Sequence, residues 1–316
     1  VTSAQALSAA DDDFHPGDSP WHTEGSWWCF FAPERQLAGW IYHLTRPNLG
    51  IASGGVWVWD STCHLWYEVP YFGNWNFQLL DDSPRDLNHF IWPDGVALDT
   101  LDPLRRYHLS FHDGELLDLD LTYEGVMEPY VACAGDTPTP FRFDHPSRVT
   151  GEVVLRGERI AVDSFAMRDH SWGVRPDAPN TGRTLIADPA ALAERPAPYL
   201  WATASTDDAF FVMGGKGWLV RGDTRAALTV VEQRLERDPT TGLLRSIAIE
   251  GTDESGRVLH ASGVAQSIIT RPSGSGIGFT AAIDWSIDGV SAIGDVQDVW
   301  PLDAWSTFRT WQRTRA

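Results

Sequence analysis

Arg168-Asp169-His170-Ser171-Trp172-Gly173 sets an acid, an imidazole and an indole side by side in six residues. In an extended chain successive side chains leave opposite faces, so Arg168, His170 and Trp172 share one face and Asp169 and Ser171 the other. One face then presents a proton carrier beside a flat π surface. Protonating an alkene creates a cation that an indole face stabilises, so the pairing suits acid chemistry on a carbon skeleton. The same residue types also build purely structural pairs at strand ends, with Trp172 as core filling. Gly173, Pro176 and Gly182 mark an irregular segment around the motif. A second acid, Glu24, precedes the Trp27-Trp28 pair. At a barrel mouth an apolar wall would raise its pKa; at an ordinary strand start it would be solvated.

The elements that must position these groups are mostly strands. Leu117, Leu119, Leu121 and Tyr123 alternate with Asp118, Asp120 and Thr122, the pattern of a half-buried strand. It follows residues 106–111 across a His112-Asp113-Gly114 turn, a hairpin signature. Further hairpins are expected around Arg156-Gly157-Glu158, residues 238–242 and residues 253–256, and a strand over 56–59 places Trp57 and Trp59 on one face. Such spacing argues for an all-β protein of antiparallel sheets, as sandwiches or barrels. Helix is scarce. Residues 189–195 could make about two turns after an Asp188 cap. Ala304, Trp305, Phe308 and Trp311 recur at helical spacing after Pro301, predicting a short C-terminal helix. The Pro-rich stretch from Asp136 to Pro146 is the expected boundary, giving an N-terminal domain over 15–140 and a C-terminal domain over 141–316. Residues 1–14 are read as a disordered or extended arm.

Composition narrows the partners. With 24 basic and 43 acidic residues the net charge is −19, which disfavours nucleic acid and anionic membrane surfaces. No run of 18 apolar residues predicts a membrane span, and Val1 to Asp13 lacks the pattern of a secretory signal. Cys29, Cys63 and Cys133 are sparse and far apart, which suits reduced thiols and a cytoplasmic setting. Sixteen Trp residues, nine of them in the first hundred positions, are hard to pack with every N–H satisfied. They either line a cavity for an apolar ligand or build a thick aromatic core. His108 and His112 are the histidines closest to a metal spacing, but they flank a bend, and no metal is expected. The glycine-rich segments at 213–217 and 274–278 lack the context of a phosphate loop, and no Gly-x-Ser-x-Gly elbow occurs.

Glu24-Gly25-Ser26-Trp27-Trp28-Cys29-Phe30-Phe31, with Gly39-Trp40-Ile41-Tyr42 after it, resembles the opening of the carotenoid hydratase (hydroxyneurosporene synthase) family. Asp169-His170-Ser171-Trp172-Gly173 resembles that family's Asp-His-x-Trp-Gly element. The wider group includes tocopherol cyclase-like proteins and lipocalin-like Diels–Alderases. The resemblance implies two lipocalin-like β-barrels in tandem and chemistry on apolar isoprenoid-, steroid- or polyketide-like molecules without metal or organic cofactor. It implies catalytic roles for Glu24, Asp169, His170, Trp172 and Tyr199, with Asp169 polarising His170. Trp27, Trp28, Tyr42, Trp57, Trp59 and Trp201 would contact the substrate. The family's Tyr-x-Asp pair reads Tyr199-Leu200-Trp201 here, so the proton donor must come from elsewhere, with Glu24, Asp163 and Asp207 as candidates. The expected activity is that of a cofactor-independent hydratase/dehydratase or cyclase/isomerase. The other readings are a carrier for a hydrophobic metabolite and a barrel that shapes a polyene for pericyclic closure. A carrier needs no buried ionisable group beside His170.

Overall fold

The computed structural model describes residues 7–63, 68–81, 86–134, 141–175, 189–273 and 276–315. Asp188, Pro176, Gly182 and residues 136–140 and 274–275, which figure in the expectations above, lie outside them. The chain divides into two units, one of Val1–Trp59 and Val69–Pro176, the other of Asp60–Glu68 and Asp177–Ala316.

In the first unit β1 (His22–Ala32), β2 (Leu37–Arg46), β3 (Ile51–Asp60) and β4 (Tyr71–Leu79) form a meander. Then follow β5 (His89–Ile91), β6 (Ala97–Asp102), β7 (Arg106–Asp113), β8 (Leu117–Gly125), β9 (Tyr130–Ala134), β10 (Phe141–Leu155) and β11 (Glu158–Val174). They make one sheet in the order β4-β3-β2-β1-β11-β10-β8-β7-β6-β5, with β9 beside β10. Among the described residues this path is open. The expected boundary at 136–146 is therefore corrected: β10 and β11 belong to the first sheet, and the units part after Pro176. Pro146 misled because proline ends most strands. It sits inside β10, opposite Met167, at the step where the neighbour changes from β9 (Asp144↔Tyr130) to β8 (Ser147↔Gly125), so its missing N–H breaks no ladder bond there.

The second unit is a closed barrel of β12 (Tyr199–Ser205), β13 (Asp208–Met213), β14 (Lys216–Arg221), β15 (Thr224–Arg237), β16 (Leu244–Asp253), β17 (Val258–Ser273), β18 (Gly276–Ile287) and β19 (Val290–Pro301). All eight strands contribute to one apolar cluster, including Leu200, Phe210, Leu219, Ile249, Trp285 and Val296. Closure leaves no edge to protect. The expected terminal helix is present as α2 (Leu302–Arg313), after a single turn α1 (Pro189–Ala193). Ala304 and Phe308 of α2 pack with Phe279 and Trp300, with Leu192 of α1 against them. The hairpins expected at 112–114, 156–158, 238–242 and 253–256 are all formed.

The arm expected over residues 1–14 is corrected for its described part. Ala9–Asp12 forms a 3₁₀ turn, and residues 11–15 dock on the first sheet. Asp12 receives Arg168 Nη2 at 2.8 Å, the Tyr107 hydroxyl at 2.7 Å and the Leu104 N–H. Phe14 meets Phe90 edge-on at 5.2 Å. An ion pair this deep keeps its charges only because each remaining lone pair finds a donor.

Candidate active site

The pairing of β1 with β11 does most of the positioning. Its register sets Glu24 opposite Trp172, Ser26 opposite His170 and Trp28 opposite Arg168. On the other side of β11, Phe141 lies opposite Trp172 and Phe143 opposite His170. Alternation puts all of these on one side of the sheet, here called the glutamate face. Gly173 ends the motif at φ +128°, a backbone conformation that a residue with a Cβ rarely adopts.

Glu24 and His170 are each 2% exposed, and His170 Nε2 is 3.0 Å from Glu24 Oε2. His170 Nδ1 is 3.0 Å from the Asp11 carbonyl oxygen, which can only accept. Nδ1 therefore carries a hydrogen, and Nε2 faces the carboxylate. Two more imidazoles approach the same carboxylate: His22 Nε2 at 3.4 Å from Oε1 and His15 Nδ1 at 3.4 Å from Oε1, while the His15 backbone N–H donates to Oε1 at 2.6 Å. Burial pushes the Glu24 pKa up. Hydrogen bonds from His15, His170 and His22 and the charge of His170 outweigh it, and the carboxyl is held well below the usual range. Glu24 is neither solvated nor set in an apolar wall: the wall is imidazole, and the pKa falls. The His22 pKa rises, first through its hydrogen bond to Glu24.

Trp172 stacks on Phe141 at 4.3 Å and on the His15 ring at 3.5 Å and 1°. The His15 ring thus covers one face of the indole. Trp28 packs edge-on to Tyr107 at 5.1 Å, on Tyr123 at 4.9 Å and under the Arg168 guanidinium at 4.7 Å.

Asp169 is placed differently from expectation. It projects to the opposite side, the aspartate face, and is not the carboxylate bonded to His170; Glu24 is. Neighbouring residues on one strand cannot share a face. Arg142 bridges Asp169 at 2.8 Å and Asp144 at 2.6 Å. Burial raises the Asp169 pKa, Arg142 lowers it and Asp144 raises it again, leaving it pushed up to about 6. Trp27 and Tyr42, paired in register, lie on this face, with Trp40 packed on Trp27 at 4.8 Å. Trp57 meets Trp40 edge-on at 6.4 Å, and Trp59 follows two residues along β3. Adjacent Trp27 and Trp28 therefore serve opposite faces and cannot line one chamber. Tyr199 and Trp201 belong to the second unit, on the side of β12 that turns away from its apolar cluster, with Phe211 5.2 Å from Tyr199. Asp163 is an exposed partner of Arg148, and Asp207 is an exposed hairpin residue bonded to Ser205, so neither is the missing acid.

His15, Glu24 and His170 offer ligand atoms all within 4.8 Å of one another, the group among the described residues that could hold a metal ion. Two imidazoles and a carboxylate suit zinc or iron. In this structure His170 and Glu24 bond each other directly at 3.0 Å. His108 and His112, the pair weighed from spacing, instead bond Asp120 and Asp118 on the surface. Sequence reasoning missed His15 and His22. The alternation His22-x-Glu24 carried a signal; His15 carried none, because it reaches the site through a non-repetitive segment.

The fold is shared with solved structures of low identity. Kievitone hydratase from Nectria haematococca aligns over 88% of this chain and 88% of its own at 11% identity, with a TM-score of 0.53. CghA aligns over 90% of this chain and 89% of its own at 10% identity, with a TM-score of 0.52. No helix among the described residues is long and apolar enough to cross a membrane. No curated protein sequence matches the chain significantly. The family described as "Domain of unknown function (DUF7064)" matches residues 8–301, nearly the whole length, and the chain belongs to that family.

Proposed function

We propose that this protein is a cofactor-independent enzyme of the hydratase/dehydratase or cyclase/isomerase type, acting on an apolar alkene-bearing small molecule. The observation that carries the reading is the 3.0 Å contact of His170 Nε2 with the Glu24 carboxyl in a buried site, beside the Trp172 indole. His170 gives the Nε2 proton to an alkene carbon, and the Glu24 carboxylate holds the charge of the imidazolium before transfer. The cation forms where water is scarce, and Trp172 offers its π face once His15 yields it. Water then adds, or a second alkene closes a ring. The fold likeness to a protein named as a hydratase supports the same class. A carrier gains nothing from a desolvated carboxylate with an imidazole at 3.0 Å, so the pair favours the enzyme.

The test incubates the protein with isoprenoid, steroid and polyketide alkenes in ¹⁸O-labelled water and, in parallel, in D₂O. The expected result is a product that has gained one labelled water, or a deuterated isomer, formed by the wild type and lost in His170→Ala. Equal turnover by a correctly folded His170→Ala protein would overturn the assignment.

A further inference from the structure

Ser26 stands between two histidines. It lies opposite His170 on β11 and opposite His43 on β2. The three side chains therefore leave the glutamate face in one row across three adjacent strands. Neighbouring strands are ~4.8 Å apart, which separates the backbones of the two histidines by ~10 Å. Ser26 Oγ accepts the Trp28 Nε1 hydrogen at 2.8 Å, so its own hydrogen points elsewhere.

His43 is as buried as His170. Its Nε2 is 2.8 Å from Asp94 Oδ2, and its ring stacks on Trp92 at 4.3 Å and 12°. Burial raises the Asp94 pKa, but the hydrogen bond from His43 and the Val96 N–H bring it below the ordinary value. Asp94 as a carboxylate only accepts, so Nε2 carries the hydrogen, and in the neutral ring Nδ1 keeps its lone pair. Among the described residues nothing donates to that Nδ1, and it is closed off from solvent. An imidazole acceptor left bare in a packed interior is unfavourable for stability, and its position beside Ser26 and His170 points to use.

We propose that His43 is a second catalytic residue, the base that takes the proton of the attacking water, with Asp94 positioning its ring. The inference rests on the function proposed above and adds the partner that the Glu24–His170 pair lacks. In hydration the alkene π bond breaks, and one carbon takes the proton from His170 Nε2. The neighbouring carbon bonds the water oxygen, and the surplus water proton passes to His43 Nδ1. Asp94 stabilises the imidazolium so formed, and proton exchange with water that enters on product release restores both groups. Dehydration runs the same steps in reverse, with His43 protonating the leaving hydroxyl. Ser26 hydrogen-bonds the water between the two rings.

The test uses the full chain, the substrate found with labelled water, and the variants His43→Ala, Asp94→Asn and His170→Ala, each checked for a native melting transition. In D₂O a folded His43→Ala protein is expected to lose net hydration by about 10²- to 10³-fold yet still exchange deuterium into the alkene, because protonation survives. His170→Ala loses both activities. Asp94→Asn lowers kcat and leaves KM unchanged. Hydration by His43→Ala at the wild-type rate overturns the base and leaves the proposed function standing. A wild type that labels no alkene overturns the function and this inference together. A substrate-free measurement covers variants that fail to fold: ¹⁵N NMR of the wild-type histidines is expected to place the His43 proton on Nε2. A proton on Nδ1 overturns the proposal.

Discussion

Glu24 and Asp169 are both buried carboxyls on paired strands, yet the two sides of the first sheet put them in opposite states. On the glutamate face one carboxyl meets three imidazoles, and its pKa falls well below the ordinary value. On the aspartate face two carboxyls share Arg142, and the Asp169 pKa rises to about 6. Burial acts the same way on both, so the ratio of donors to carboxylates decides the sign. The Glu24 carboxyl stays ionised, and the Asp169 carboxyl takes up a proton below about pH 6. Opposed pKa values often mark an acid and a base of one reaction. Here the sheet lies between them, so they cannot attend one substrate, and the acid–base couple has to be sought along one face.

The largest test of this contrast is chemical. Glu24→Gln and His170→Ala are each expected to lower turnover by about 10²- to 10⁴-fold, read as kcat on the labelled substrate. Asp169→Asn leaves turnover within a few-fold, because Asp169 faces the other way. If Asp169→Asn proves as damaging as His170→Ala, the aspartate face is the reactive one and the comparison inverts.

Stability separates the faces next. Asp12→Asn breaks the buried pair with Arg168 and is expected to destabilise by ~3–5 kcal/mol, measured by denaturant unfolding. Asp169→Asn is expected to stabilise near pH 7–8, where the wild-type carboxyl must ionise in the buried site. The sign follows from linkage. The raised Asp169 pKa contributes stability that is full below the ordinary value of 3.8 and lost as pH rises through about 6. The gain from Asp169→Asn should therefore fade as pH falls toward 4, which a set of melting curves would show. Glu24 behaves in the opposite way: its contribution is present above the ordinary 4.5 and is lost as pH falls toward its depressed folded value. Matching pH slopes for the two variants would break the contrast.

His15→Ala is a smaller change. Loss of the stack on Trp172 should cost ~1 kcal/mol and alter the indole fluorescence without abolishing turnover. The smallest expected effect is from a chelator: dialysis against one leaves kcat and Tm unchanged. Loss of activity restored by a divalent cation would reassign His15, Glu24 and His170 from proton handling to metal binding.

Much of the architecture was legible because it is local. Alternation in residues 117–123 and the turns at 112–114, 156–158, 238–242 and 253–256 depend on neighbours in sequence, and all of them hold. The two sides of residues 168–172 also follow from strand period alone. The domain boundary was not legible, since Pro146 reads as a break unless the change of neighbour from β9 to β8 is known. Nor was the partner of His170. The resemblance implied Asp169, whereas a strand pairs its side chains with those across the ladder, which here lie nearly 150 residues away.

The sequence by itself determined the all-β character, the terminal helix and the division of Asp169 from His170, because hydrophobic period and turn chemistry act over a few residues. Tertiary structure alone decided that β11 closes against β1, that residues 11–15 fold over the sheet, and that Glu24 meets three imidazoles. Those contacts depend on register between distant strands and on desolvation by the assembled core, and neither is encoded in any short stretch of the chain.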